Sequence, residues 1–149
     1  MRVWRFIAFF CSVLIGWHAE AVVIDIDSAE LNKLIATGVP LIDIRTAPEW
    51  QQTGIVPGSH LLTFFDEQGR ADPSAWLEKV RAIAKPSQPV IVICRSGNRT
   101  KAVSQFLNDQ AGYAKIYNVR NGIVVWAREG RVLAPVTQNM AKCGKTENC

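Results

Sequence analysis

Metal-binding residues are scarce in the sequence, and no segment repeats another. The 149 residues include two histidines and four cysteines, and these do not show the paired spacing of a zinc site. No basic run interleaved with aromatic residues occurs, and a formal net charge of +4 is too small to indicate nucleic-acid binding. Hydrophobic residues make up 48% of the chain, which is typical of one globular domain. We therefore expect neither a metal site nor a nucleic-acid partner.

Long apolar runs are missing except in residues 1–21. This segment begins with two arginines in "MRVWRF", continues as "FIAFFCSVLIGW" and ends in the small-residue site "AEA". The three parts are typical of a secretory signal peptide, and the apolar run is short for a membrane span. We predict export to the periplasm with cleavage after Ala21, and no stable membrane association after the signal is removed. An uncleaved membrane anchor is the alternative.

Three cysteines remain once this segment is removed, namely Cys94, Cys143 and Cys149. In an oxidising compartment two of the three can pair. Cys143 and Cys149 bracket a short polar stretch, so we expect a small disulfide loop between them, which leaves Cys94 as a free thiol. The predicted organisation is a domain over residues 22–132 followed by an irregular tail over 133–149.

Short β-rich runs alternate with helical patterns through the domain. Asp27 with Glu30 three positions later predicts a helix start, as do Asp72 and Pro73 before a second helical pattern. The continuous apolar run "QPVIVIC" predicts a central strand buried on both sides. The alternation predicts a single α/β domain with a central parallel sheet covered by helices on both faces. Ligands in such sheets bind beyond the carboxyl ends of the strands.

The stretch "CRSGNRT", residues 94–100, lies at that kind of strand end and leads into a helical pattern. The reactive form of cysteine is the thiolate, and a helix N-terminus with Arg95 and Arg99 nearby favours this anion. Gly97, and Asn98 as a second candidate, can adopt positive φ and turn consecutive N–H groups inward as an anion nest. A buried structural role for Cys94 is the alternative. We predict that the loop holds an anionic sulfur species or an oxyanion.

Four segments in order resemble the rhodanese family of sulfurtransferases: "LIDIRTAPEW", "GIVPGSHLL", "VICRSGNRT" and "VRNGIVVW". The resemblance runs from about Ile24 to Trp126 and implies a single rhodanese-like domain. Ile55 stands where a histidine is common in the family, and Asn121–Gly122 replaces the usual glycine pair.

The resemblance implies an enzyme of the thiosulfate sulfurtransferase type. Cys94 would take sulfur from a small anionic donor such as thiosulfate, form a persulfide and pass the sulfur to a thiol or cyanide-like acceptor. No cofactor is implied beyond this covalent intermediate. The implied substrate-binding residues are Arg95, Ser96, Gly97, Asn98, Arg99 and Thr100. Arg95 is the residue that we expect to bind the anionic end of the donor.

Several side chains near the loop have two interpretations. Asp43 and Arg45 flank Ile44 and share one side of a strand, so with Glu49 they form either a charge network beneath the loop or an ordinary ion pair at the strand end. Arg99 either faces the substrate, which we favour, or forms a salt bridge outward. The helix after the loop could be capped by Ser96 or, as its position favours, by Asn98.

Three other functions compete with sulfur transfer. A related phosphatase or arsenate reductase needs five residues between its cysteine and an arginine, whereas four separate Cys94 from Arg99 and the next position is Thr100, which has no guanidinium. A thiol redox protein could use Cys143 or Cys149 to resolve an oxidised Cys94. A non-catalytic sulfur carrier is the third alternative.

Overall fold

The computed structural model describes residues 21–136. Residues 1–20 of the expected signal peptide and the expected Cys143–Cys149 disulfide lie outside these residues, so both calls stay predictions. No helix within residues 21–136 is long and apolar enough to cross a membrane.

Five strands and five helices alternate along the described chain. The strands are Val22–Ile26 (β1), Leu41–Asp43 (β2), His60–Leu61 (β3), Val90–Ile93 (β4) and Lys115–Val119 (β5). The helices are Ser28–Ala36 (α1), Ala47–Thr53 (α2), Pro73–Ile83 (α3), Asn98–Asp109 (α4) and Gly122–Arg128 (α5). All neighbouring strands are parallel, in the order β1-β5-β4-β2-β3. The predicted α/β fold with a central parallel sheet is confirmed.

Strand β4 lies in the middle of the sheet, and all four of its residues are fully buried. Val90 and Val92 pack in one hydrophobic cluster with residues of α3 and α4, including Trp76 and Leu107. The alternate residues of β4 belong to a second cluster, which includes Trp126 of α5 and residues of α1. The prediction that helices cover both faces is therefore confirmed, and β4 is packed on both of its faces.

The predicted helix starts are also present. The Asp27 carboxylate accepts a hydrogen bond from Glu30 N at 2.9 Å, and the Asp72 carboxylate accepts one from Ala75 N at 3.0 Å. Each bond satisfies an amide that has no partner within the helix. These local signals fix where α1 and α3 begin and thus where the sheet is covered.

The chain after α5 runs back toward the C-terminal end of α2. Ala134 forms an antiparallel bridge with Ile55, with N–H to O=C distances of 2.9 and 2.8 Å in the two directions. Residues 133–136 have no helix or regular strand, and the bridge attaches them beside the C-terminal end of α2. The predicted division into domain and tail stays a prediction.

Candidate functional site

Cys94 is the first residue after β4 and is a buried free thiol. Its residue is 1% exposed. The Sγ atom accepts a hydrogen bond from Gly97 N at 3.1 Å, and Thr100 Oγ1 lies 3.6 Å away. The cysteine thus occupies the carboxyl end of the central strand, as predicted, with a backbone amide directed at its sulfur and a hydroxyl oxygen close by.

The turn from β4 into α4 depends on Gly97. This residue has φ of +93°, a left-handed conformation that favours glycine. A Cβ atom at this position would collide with the backbone carbonyl of Arg120. Helix α4 then runs for 12 residues from Asn98, so its free N-terminal amides face the loop.

Two details of the predicted turn are wrong. No non-glycine residue among 21–136 has positive φ, so Asn98 does not share the role of Gly97. Neither Asn98 nor Ser96 caps α4, because the N-cap residue is Gly97. The helix start therefore has no hydrogen bond from a capping side chain. The Thr100 hydroxyl donates back to Gly97 O at 2.9 Å instead. The side chains of Ser96 and Asn98 are therefore left available at the loop surface.

The first turn of α5 holds the loop from behind. Ile123 N donates to Cys94 O at 2.9 Å, and Val124 N donates to Arg95 O at 3.2 Å. Gly122 has φ of +60° and passes so close that a Cβ atom would contact both carbonyls. In a trans peptide the N–H lies opposite the C=O, so these bonds turn the next two loop amides away from α5.

The expected ring of amides around the sulfur is only partly present. Within the described chain, Gly97 N is the backbone amide that hydrogen-bonds Cys94 Sγ. The resting thiol is also covered, whereas Arg95, Ser96 and Asn98 are exposed above it. The loop therefore presents its polar groups to solvent and keeps the sulfur just below them.

Arg99 forms a bidentate ion pair with Glu49 across 50 residues of sequence. Its Nη1 donates to Glu49 Oε2 at 2.8 Å and its Nη2 donates to Glu49 Oε1 at 2.6 Å. The Glu49 carboxylate also accepts bonds from Thr46 N at 3.0 Å and Thr46 Oγ1 at 3.1 Å, which close a capping box at the start of α2. Arg99 is thus salt-bridged within the site in the resting structure, and its favoured role of facing the substrate stays a prediction.

The pKa values of this pair follow from its contacts. Burial raises the pKa of Glu49, but the hydrogen bond and charge of Arg99 and the bonds from Thr46 outweigh it and lower the pKa to about 2. The hydrogen bond to Glu49 raises the pKa of Arg99 against desolvation, and the nearby Cys94 sulfur raises it further. The guanidinium therefore stays charged and bonded to the Glu49 carboxylate.

Asp43 and Arg45 form a second ion pair at the end of the adjacent strand β2. Arg45 Nη2 and Asp43 Oδ2 are joined by a 2.6 Å bond, and the two side chains are 1% and 0% exposed. Arg45 also donates to Thr53 Oγ1 at 2.6 Å and to Gly54 O at 2.9 Å. Glu49 contributes only its backbone carbonyl, at 3.5 Å from Arg45 Nη1, so the predicted three-residue network is limited to the Asp43–Arg45 pair.

A groove of about 510 Å³ adjoins the loop. Its lining residues are Thr46, Glu49, Asp66, Glu67, Arg95, Ser96, Asn98 and Arg99. The sequence analysis did not identify Asp66 and Glu67, the two acidic residues after β3. Nothing in the sequence of a polar turn shows that it lies next to a loop distant in the chain. The groove brings four of the predicted substrate-binding residues together, while Gly97 and Thr100 lie buried behind them.

Other titratable residues do not join this site. Burial lowers the pKa of His60, and this residue lies on β3, away from the residues that line the groove. Among residues 21–136, no three histidine, cysteine or carboxylate side chains are grouped closely enough to hold a metal ion.

The fold and the site define a class of protein, namely single α/β domains that place a cysteine in the loop between a central parallel strand and the next helix. Within this class the chain belongs to the rhodanese-like domain family, whose model matches residues 27–129. The matched residues lie within the predicted domain of residues 22–132.

Named relatives and a solved structure agree with this family. The chain is 34% identical over 115 residues to the "Sulfurtransferase" of Allochromatium vinosum, covering 74% of this chain and 95% of the relative. It is 30% identical over 110 residues to "Thiosulfate sulfurtransferase 18" of Arabidopsis thaliana, covering 70% and 78%. A crystal structure of a rhodanese-related protein from Thermoplasma volcanium is 27% identical, with a TM-score of 0.57 and coverage of 74% and 97%.

Proposed function

We propose that this protein is a sulfurtransferase that carries sulfur as a persulfide on Cys94. The observation that carries the proposal is the Gly97 N–H bond to Sγ at 3.1 Å, in a loop that opens the N-terminus of a 12-residue helix. Amide hydrogens and the helix dipole at that position favour an anionic sulfur. The names of the two relatives above, a sulfurtransferase and a thiosulfate sulfurtransferase, support the same chemistry.

The first half-reaction loads the cysteine. The Cys94 thiolate attacks the outer sulfur of thiosulfate or a similar donor, and a new S–S bond forms. The bond between the two donor sulfurs breaks, and its electron pair leaves with sulfite. The products are the Cys94 persulfide anion and sulfite, so the total charge is unchanged.

The second half-reaction returns the free cysteine. An acceptor thiolate or cyanide attacks the terminal sulfur of the persulfide, and the S–S bond to Cys94 breaks with its electron pair on Sγ. The product is an organic persulfide or thiocyanate. Two separate half-reactions of this kind give ping-pong kinetics.

The loop residues divide into two groups in this proposal. Arg95 is exposed at the groove and meets the anionic end of the donor, and Ser96 and Asn98 offer further hydrogen bonds at its surface. Gly97 and Thr100 contact the sulfur itself. Because Cys94 is 1% exposed, loading also needs the loop or the Cys94 side chain to shift and open the sulfur to the groove.

Intact-mass measurement tests the proposal. Incubation of the purified protein with thiosulfate should add one sulfur atom, and cyanide should remove it and release thiocyanate. Cys94→Ser should show no gain in mass. Titration of the unfolded wild type with a thiol reagent, compared with the unfolded variant, should show that Cys94 was reduced at the start. A reduced wild-type protein that never gains sulfur from any sulfane donor would contradict the proposal.

A further inference from the structure

The positive charge of Arg99, which lines the groove at the Cys94 loop, is paired with a carboxylate in this structure. Both terminal nitrogens of the guanidinium are bonded to the Glu49 carboxylate, at 2.8 and 2.6 Å. The side chains of Arg99 and Glu49 are 29% and 23% exposed, so the pair is partly shielded from water. Thr46 holds the other side of the carboxylate, which fixes Glu49 in place without adding a compensating charge.

The remaining charges of the groove also balance. Asp66 is paired with Arg70 at 2.8 Å. The groove lining then contains one further carboxylate, Glu67, and one further cation, Arg95. A groove with this balance attracts a doubly negative donor much less than a groove with two unpaired arginines would.

We propose that Glu49 is a specificity-determining residue, which neutralises Arg99 and so favours sulfane-sulfur donors with one negative charge over dianionic thiosulfate. Organic persulfides and thiosulfonates belong to the singly charged class. This inference rests on the proposed sulfur transfer and adds the charge of the preferred donor to it.

Two small probes isolate this charge. Thiosulfate and methanethiosulfonate both carry a terminal sulfane sulfur on an oxidised sulfur, but the first is a dianion and the second a monoanion. With either probe the Cys94 thiolate forms the same persulfide, and the S–S bond of the probe breaks. The leaving group takes the electron pair and is sulfite in one case and methanesulfinate in the other, so charge is conserved in both.

The experiment compares second-order rate constants for sulfur loading by the two probes in the wild type and in Glu49→Gln. Glutamine keeps the size of the side chain and removes its charge, which leaves Arg99 as an unpaired cation. The interaction energy scales with the charge of the donor, so it is twice as large for the dianion as for the monoanion. If the substitution raises the rate constant for methanethiosulfonate by about threefold in the screened groove, it should raise that for thiosulfate by about ninefold. The ratio of the two rate constants should therefore move toward thiosulfate by about threefold.

Two further variants and a salt series complete the test. Arg99→Gln should move the ratio about threefold in the opposite direction, because it leaves Glu49 as an unpaired anion, and the double variant should return near the wild-type ratio. Glu78→Gln is the matched control, since it removes a carboxylate from an exposed pair with Arg81 on α3, outside the groove. High salt should shrink every shift in ratio.

The outcomes separate this inference from the proposed function. If neither probe loads sulfur onto the wild type, the sulfur-transfer proposal itself is wrong. If both probes load sulfur but Glu49→Gln changes their rate constants by the same factor, with no salt dependence, Glu49 merely supports the loop and the charge inference is overturned. A normal thermal unfolding temperature for each variant excludes loss of the fold as the cause.

Discussion

Two neighbouring strands end in opposite kinds of chemistry. At the end of β2, Asp43 and Arg45 bury a charge pair whose donors are taken up by fixed oxygen atoms. At the end of β4, the Cys94 sulfur is equally buried but has one amide bond, from Gly97, and a hydroxyl at 3.6 Å. The strands are bonded directly to each other, and Ile44 N donates to Ile93 O at 3.0 Å.

This difference separates support from reactivity at one edge of the sheet. A buried ion pair whose hydrogen bonds are all made has no free group to bind a ligand. Removing one partner leaves an uncompensated charge in the interior. A thiol with few partners beside free helix amides can still gain from becoming an anion. The comparison predicts that changes at the end of β2 affect stability first and changes at the end of β4 affect sulfur chemistry.

The largest effect is expected from Arg45→Ala. The substitution leaves the Asp43 carboxylate buried without its partner, which should lower the free energy of unfolding by about 3–5 kcal/mol. Chemical denaturation measures it. The control is Arg70→Ala, which breaks the exposed pair with Asp66 and should change the unfolding free energy far less, because water and salt screen an exposed pair. Equal losses in the two variants would show that burial of the pair at β2 does not matter.

Gly97→Ala should have the next largest effect and should affect both stability and chemistry. Gly58→Ala is the matched control, because Gly58 has φ of +81° but a Cβ atom there would meet no other atom within 4 Å. The control should lose about 1–2 kcal/mol from backbone conformation alone. Gly97→Ala should lose about 1–3 kcal/mol more from the collision with Arg120 and should no longer load sulfur. Normal loading by a folded Gly97→Ala protein would argue against the tight turn as the source of reactivity.

The smallest effect concerns the partly exposed pair of Glu49 and Arg99. Because the pKa of Glu49 is lowered to about 2 in the folded protein, its contribution to stability is complete above the unfolded value near 4.5. It is lost as the pH falls from about 4.5 to about 2. The difference in unfolding free energy between the wild type and Glu49→Gln should therefore shrink across this window. A difference that stays constant with pH would mean that the pair does not stabilise the folded state.

The sequence was sufficient to predict the fold and the position of the cysteine. The apolar run before Cys94 defined a central strand, and a glycine among cationic residues marked the turn into α4. Periodicity and local motifs carry this information because both depend on residues close in sequence.

The sequence did not reveal which groups in the site are bonded to one another. The pairing of Glu49 with Arg99 depends on the position of α2 relative to α4 in the folded domain. No local sequence pattern encodes that position. The bonds from α5 to the loop are made by backbone amides, so no side chain signals them in advance. The limited number of amides on the sulfur likewise follows from peptide orientations that the loop sequence alone does not determine.

The bonds from α5 also provide a spectroscopic probe of the active-site loop. The amide hydrogens of Ile123 and Val124 are bonded to the carbonyls of Cys94 and Arg95, so a movement of the loop backbone releases them, whereas a rotation of the Cys94 side chain alone does not. Their solvent-exchange rates or NMR shifts therefore register movement of the loop without a label on the cysteine. A spectroscopist can follow the loop from two positions outside the residues that line the groove.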